Sequence, residues 1–372
     1  MKKMMIFLPF TLLGCSYLAC AQTISLPPVG DNQKCSVVQW IGLVSVSITY
    51  NSPDVTGPDG ESRKGKIWGG VVPYGMTKNN FGTAGEIPWR AGANENTVIS
   101  FSHDVRIEGK EIPAGAYGVH MIPSEEKWTI IFSRNSSAWG SYFYDSKDDV
   151  LRVDVLPEPC PYTEWLTYDF IEKRPTFTVA ALKWEELMIP FKIEANVIEA
   201  YLNQIRTELQ GPAGFKWQNW IDAIDFCIRN NTNLEEALLW SDYAISAPFV
   251  GERNFSTLGT KAKILILLKQ DQEAENLIEA ALEEPTATLI DIHEFGKDLI
   301  KLGETEYALQ VFELNRKKFP MDGFTTFIGL ALVYSALGKT NRAIKNYRLA
   351  AENAPEGQSS YYLSLASELA SK

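Results

Sequence analysis

Along the first half of the chain, apolar and polar positions alternate. Val44, Val46, Ile48 and Tyr50 are separated by Ser45, Ser47 and Thr49. A period of two places every second side chain on one face of a strand. Shorter runs of the same kind follow at Thr97–Phe101, Val105–Ile107, Gly115–Ile122, Trp128–Phe132, Leu151–Val155, Trp165–Phe170, Thr176–Trp184 and Leu187–Ile193. Turn-forming groups such as Ser52-Pro53, Gly57-Pro58-Asp59-Gly60, Glu108-Gly109-Lys110 and Pro123-Ser124 separate them. Many short strands without helical pattern between them predict an antiparallel β-sandwich, or a barrel, over residues 22–196.

Near Glu194 the period becomes helical, and the helical pattern repeats. Pro320 and Pro355 stand about 35 residues apart, and Gly303 with Gly338 and Ala308 with Ala343 keep the same phase. Small residues recur at Ala237, Ala274, Ala308 and Ala343, each followed four residues later by Ser241, Ile278, Phe312 or Tyr347. A small residue lets two helices approach, a bulky one fills the gap to the next pair, and proline ends the second helix. A period near 34 residues with these features resembles the tetratricopeptide repeat. The third repeat fits best, with Gly296, Gly303, Ala308, Phe312 and Pro320, although Asn315 stands where a small apolar residue is usual. The first two fit poorly, with Pro248 and Pro285 displaced by one. The expected architecture is therefore β + α multidomain: an antiparallel β-sandwich followed by an α-α tetratricopeptide-type helical repeat array. Its parts are a signal peptide at 1–21, the sandwich at 22–196, a helical linker at 197–216, about four repeats at 217–356 and a capping helix at 357–372.

Composition agrees with this division. A chain of 372 residues exceeds one ordinary core, and 45% apolar with 22% charged residues is a globular balance. The net charge of −11 disfavours nucleic acid as a partner, and no basic run marks an anionic surface. Lys2 and Lys3 precede an apolar stretch from Met4 to Leu13, and Ala19-Cys20-Ala21 fits a cleavage site before Gln22. Leu12-Leu13-Gly14 before Cys15 offers a second reading, a lipoprotein signal with a lipid anchor at Cys15. Either places the protein in the periplasm or at the cell surface. Export permits disulfides, so Cys35 and Cys160 are a candidate pair, against the alternative of two thiols that never meet. Cys227 reads as a small core residue of a helix.

Six phrases in order, VGDNQKCSVVQWIGLVSVSITYNSP, GKIWGGVVPYG, PWRAGANENTVISFS, EIPAGAYGVHMIP, WTIIFSRNSSAWGSYFYD and DVLRVDV, resemble a bacterial family of exported domains of unknown function, numbered 2911. The resemblance spans about Leu26 to Ala195 and departs at Pro58–Arg63 and Met76–Glu86. It implies an exported, β-rich domain sometimes followed by helical repeats, and it brings no reaction.

Candidate chemistry concentrates in Ile87–Ser102. Trp89 offers a stacking plane, Arg90 a forked cation, and Asn94, Glu95 and Asn96 donors and acceptors. Such a set can hold a saccharide or small polar ligand. The same letters also suit a self-bonded loop, with Trp89 capping the core and Arg90 paired to Glu95. His120 follows Val119 in a predicted strand and reads as a solvent-edge or satisfied histidine on a sheet face. With Glu95 or Asp104 it would instead form an acid–base unit. Trp139 and Tyr142–Tyr144 are core residues or the lining of a surface groove. The three histidines, 103, 120 and 293, carry no metal-ligand spacing, and no nucleophile elbow or phosphate loop occurs, so neither metal nor cofactor is expected. The expected function is a non-catalytic binding or scaffold protein, with a ligand or envelope component on the β domain and a protein or peptide partner in the repeat groove. The alternative is a hydrolase of envelope polymers or glycans using Glu95 with His120 or Asp104.

Overall fold

The computed structural model describes residues 32–57 and 59–371. The expected leader, with cleavage after Ala21 or lipidation at Cys15, lies outside them, as does Pro58 of the first insertion. The chain divides into two compact units, the first ending at Val197 and the second beginning at Ile198.

The first unit is all β. One sheet has six strands in the order β1 (Gln33–Ile41), β2 (Val44–Ser52), β5 (Thr97–Phe101), β8 (Gly115–Ile122), β9 (Trp128–Ser133) and β10 (Asp149–Val155). A second sheet has the order β11 (Glu158–Lys173), β12 (Phe177–Ala195), β6 (Val105–Ile107) and β7 (Lys110–Ile112). A two-residue pair, β3 (Thr77–Lys78) and β4 (Glu86–Ile87), ties the ends of the lengthened Met76–Glu86 segment. All the paired strands run antiparallel. In β2 the predicted alternation holds: Val44, Val46, Ile48 and Tyr50 are buried, and the Ser and Thr residues between them are half-buried. The two sheets bury side chains against each other. Tyr50 of β2 meets Tyr168 of β11 edge-on at 4.9 Å, and Phe132 of β9 meets Phe191 of β12 at 6.2 Å.

Two expectations change here. Thr176–Trp184 and Leu187–Ile193 are parts of one strand, β12, which continues through Glu185. Glu185 takes a left-handed φ of 53° beside a register shift, so it acts as a bulge and not as a chain break. Its carboxylate accepts a hydrogen bond from the Gly65 amide at 2.5 Å, which holds the 59–66 loop against β12. The Cys35–Cys160 bridge is absent, and both are free thiols. Cys35 sits opposite Tyr50, whose ring packs on Tyr168, whereas Cys160 precedes Tyr168 by eight residues in β11. Eight residues of strand span on the order of 20–25 Å, too far for a disulfide.

The second unit is all α. Helix α1 (Val197–Leu209) precedes four helix pairs: α2 (Trp217–Asn230) with α3 (Leu234–Ser246), α4 (Phe255–Leu267) with α5 (Asp271–Glu283), α6 (Leu289–Lys301) with α7 (Thr305–Lys318), and α8 (Thr325–Ala336) with α9 (Thr340–Glu352). Helix α10 (Ser359–Ala370) covers the last pair, packing Ala366 with Tyr347 and Ala331. The segment expected as a linker belongs to the array. Leu202 of α1 shares a core with Ile224 and Trp240, and Arg206 forks onto Glu236 of α3. Ala237, Ala274, Ala308 and Ala343 are all fully buried, as the repeat pattern requires. Phe312 is equally buried, and it needs two glycines: a Cβ at Gly296 would stand 2.6 Å from its ring, and one at Gly329 would overlap it.

The turn inside each pair explains why the first two repeats read poorly. Gly303 and Gly338 adopt left-handed φ of 83° and 68°. Lys269 (60°) and Asn231 (47°) do the same job in the second and first repeats. All four make the same pair of closing bonds: the amide of the left-handed residue and that of its successor reach back to the last helical carbonyls, as with Gly303 to Ile300 and Glu304 to Leu299. The backbone geometry is constant while the residue that best tolerates it is present only twice.

Candidate functional site

The stretch that dominated the sequence reading is a self-bonded loop. Trp89 exchanges both backbone hydrogen bonds with Met121 at 2.8 Å. Its ring lies in a cluster of four indoles, stacked on Trp184 at 6.4 Å and edge-on to Trp68 and Trp128. The ring is half-buried, and this cluster packs against it. Arg90 does not pair with Glu95. It donates from Nη1 to the Asn94 carbonyl at 2.8 Å and lies 4.9 Å from the Tyr142 ring centre, over the space that Gly140 leaves by lacking a Cβ. Asn51 donates to Glu95 at 2.6 Å, Asn32 donates to the Asn94 side chain at 3.3 Å, and Asn96 donates to the Asn135 carbonyl at 2.9 Å. Ala91 and Asn94 carry left-handed φ of 54° and 55°, and the Ala91 carbonyl accepts from Thr97 and Tyr168. The loop is thus held by strands of both sheets.

His120 is buried, not at a solvent edge, with 2% of its surface exposed. The loop after β9 covers the outer face of β8, so Tyr117 to Met121 are all buried and alternation fails there. Nδ1 shares a 2.8 Å hydrogen bond with the Ser141 hydroxyl, and the ring meets Tyr144 edge-on at 5.4 Å. Burial, and secondarily the nearby Arg90 charge, lowers its pKa from 6.5 to about 4. Asp104 accepts from the Ala114 amide at 2.8 Å. Glu95, Asp104 and His120 therefore share no hydrogen bond or ion pair with one another and form no acid–base unit. Ser141 is as buried as His120, so this Ser–His contact has no access to solvent. Tyr144 and Arg152 both donate to Asp149 at 2.7 Å, and this closes the network beneath the loop. Trp139, by contrast, is exposed, and Tyr142 and Phe143 contact Phe81 edge-on. Among the described residues no three His, Cys, Asp or Glu side chains converge as metal ligands, and no helix is long and apolar enough to cross a membrane.

The open site lies in the helical unit. A cavity of about 440 Å³ runs across the first helices of three successive repeats. Helix α2 contributes Trp217, Ile221 and Asp225, helix α4 contributes Phe255, Ser256, Gly259, Thr260 and Lys263, and helix α6 contributes Asp291, Glu294, Phe295 and Asp298. Within each helix these positions recur at three or four residues, so they line one face. Glu252 and Asn254 add the turn before α4. Asn254 and Thr257 cap that helix reciprocally, which fixes where α4 begins and so where Phe255 points. Gly259 admits the Phe295 ring, which a Cβ there would touch at 3.4 Å. Across the cavity floor Lys263, almost fully buried, bridges Asp225 at 3.1 Å and Asp298 at 3.6 Å. A repeat groove was expected from the helical period, without its individual residues. The signal was present: in the repeat phase, these are the inward positions of each first helix.

Three solved structures are similar to the helical part. A tetratricopeptide repeat protein from Parabacteroides merdae is 15% identical, over 47% of this chain and 68% of its own, with a TM-score of 0.30. YrrB, a tetratricopeptide protein described as having an unusual peptide-binding site, is 15% identical over 45% and 84%, with a TM-score of 0.26. MamA from Desulfovibrio magneticus is 18% identical over 43% and 96%, with a TM-score of 0.26. No curated protein sequence matches the chain. In the β domain, residues 32–193 match the model of DUF2911, described as a protein of unknown function.

Proposed function

We propose that this is an exported, non-catalytic binding protein whose helical domain holds a segment of a partner protein. The observation that carries the proposal is the 440 Å³ groove along α2, α4 and α6. It has the size of a ligand pocket, and it combines buried aromatic walls with a few polar groups. Stacked helix pairs offer such a surface to extended or helical peptides. The β domain enters this reading as the unit that carries the array, or that meets an envelope component. A saccharide or small polar ligand at Trp89–Asn96 would have to break the loop's own hydrogen bonds and compete with Trp184 for a half-buried indole. The hydrolase reading has no observation in its favour, since its candidate residues are bonded elsewhere. Export rests on the Lys2-Lys3 start, the apolar stretch and Ala19–Ala21; a mature N-terminus at Gln22, or an acylated one at Cys15, in secreted material would bear it out.

The test is panning of a displayed peptide library on the full chain and on Ser256→Trp. Ser256 is exposed on the groove wall, so the indole fills the groove without entering the core. Peptides that bind the wild type and not the variant support the proposal. Binding that is indifferent to Ser256→Trp places the partner elsewhere and overturns it.

A further inference from the structure

The charges in the groove do not cancel. Five carboxylates line it: Asp225, Glu252, Asp291, Glu294 and Asp298. Lys263 serves Asp225 and Asp298, Lys301 also reaches Asp298 at 2.9 Å, and Lys297 pairs with Glu294 at 2.8 Å. Among the described residues, Glu252 and Asp291 have no cation within ion-pair distance. Glu252 accepts only neutral donors, the Trp217 indole at 2.8 Å and the Asn254 amide at 3.2 Å. Asp291 accepts from the Thr288 hydroxyl at 2.6 Å through Oδ2, and its side chain is exposed. The dipole of α6 offsets part of the Asp291 charge, and Glu252, two residues before the N-cap of α4, feels the dipole of that helix more weakly; neither has a cationic partner.

Resting on the groove reading, we infer that the partner segment is basic. A lysine or arginine side chain enters at the end where Glu252 and Asp291 stand, with an apolar neighbour against the Phe255–Phe295 pair, whose rings meet edge-on at 5.8 Å. Three features agree on this occupant. Two carboxylates without a cationic partner attract a cation and repel an acidic peptide. The Trp217 ring, half-exposed with its N–H turned to Glu252, gives a guanidinium or ammonium an aromatic face beside a carboxylate. Lys263, buried between two aspartates, already neutralises the other end, so the demand for positive charge is local.

The test uses fluorescein-labelled dodecapeptides of a single groove-binding scaffold, taken from the panning above, whose basic positions are kept or replaced by citrulline or glutamate. Anisotropy is read on the full wild-type chain, on Ser256→Trp and on Glu252→Gln/Asp291→Asn. Citrulline removes charge at nearly constant shape, and the amide variants are isosteric, so the comparison does not depend on a disruptive mutation. The expected result is about tenfold weaker binding for citrulline peptides and no measurable binding for glutamate peptides on wild type, with affinity falling as salt rises. On Glu252→Gln/Asp291→Asn the arginine and citrulline peptides should bind alike. If citrulline and arginine peptides bind wild type equally while Ser256→Trp abolishes both, the groove reading stands and the basic partner is refuted. If library peptides bind regardless of Ser256→Trp, both fall.

Discussion

Acidification should loosen the β domain, with His120 making the largest contribution by one buried residue. Its imidazole is enclosed by β8 and the loop after β9, with Ser141 on Nδ1, the Tyr144 ring beside it and the Arg90 cation nearby. Burial favours the neutral ring most, and the Arg90 charge adds to it. In the unfolded chain the same group titrates near 6.5, and in the folded domain near 4. Above pH 6.5 both states hold the neutral form, so the contribution is intact. As pH falls from 6.5 towards 4 the unfolded chain takes up a proton that the folded one refuses, and stability is lost progressively. Two and a half pH units of mismatch correspond to about 3 kcal/mol, fully lost below pH 4. That is a large part of the margin of a domain this size. Hydrogen exchange measured peptide by peptide on the full chain isolates the β domain, with segments from β8 and β9 as reporters after correction for intrinsic rates. Wild type should lose protection free energy steeply between pH 6.5 and 4, whereas His120→Gln, weaker at neutral pH, should show a slope shallower by about 3 kcal/mol over the same window. Equal slopes in the two proteins would show that His120 is not held neutral in the fold, and the account of its burial would be wrong.

Three further outcomes follow from packing and charge. Gly140→Ala puts a Cβ into the Arg90 guanidinium at a left-handed φ of 61°, and a thermal melt should register a loss of about 1–3 kcal/mol. Gly296→Ala should cost about 1–3 kcal/mol by far-ultraviolet circular dichroism in urea, because its Cβ would stand 2.6 Å from the Phe312 ring. Adding Phe312→Leu should recover part of that loss, a coupling that independent sites would not show. Lys263→Met removes the shared cation of Asp225 and Asp298; helix stability should fall by about 1–2 kcal/mol, with the loss shrinking as salt screens the two carboxylates.

Much of the architecture was legible in one dimension. The alternation in β2, the switch of period near Glu194 and the phase of Ala237, Ala274, Ala308 and Ala343 follow from local geometry, because a strand buries every second residue and a repeat needs a small residue where its helices touch. What failed were inferences about which face is covered. His120 is a satisfied histidine on a sheet face, one of the two readings its spacing allows, but the chain from Asn135 to Tyr144 lies over that face, and no periodicity within β8 records a cover supplied by distant residues. Arg90 and Glu95 looked like partners because they are near in sequence, yet Glu95 answers to Asn51 of β2 and Arg90 to a carbonyl of its own loop. Cys35 and Cys160 were paired by compartment and number, and the registers of β1 and β11 keep them apart. The groove shows the opposite relation: its residues are evenly spaced on helices that the sequence announces, but their role appears only when three repeats stack.

The sequence alone thus determined two bodies of different period, the repeat phase and the match of residues 32–193 to one family, since each rests on neighbours along the chain. Tertiary structure decided that the Trp89–Asn96 loop is a staple, that His120 is sealed, and that two unpaired carboxylates face a cavity. Those facts depend on which distant surfaces meet, and on the water and counter-charges that their meeting excludes.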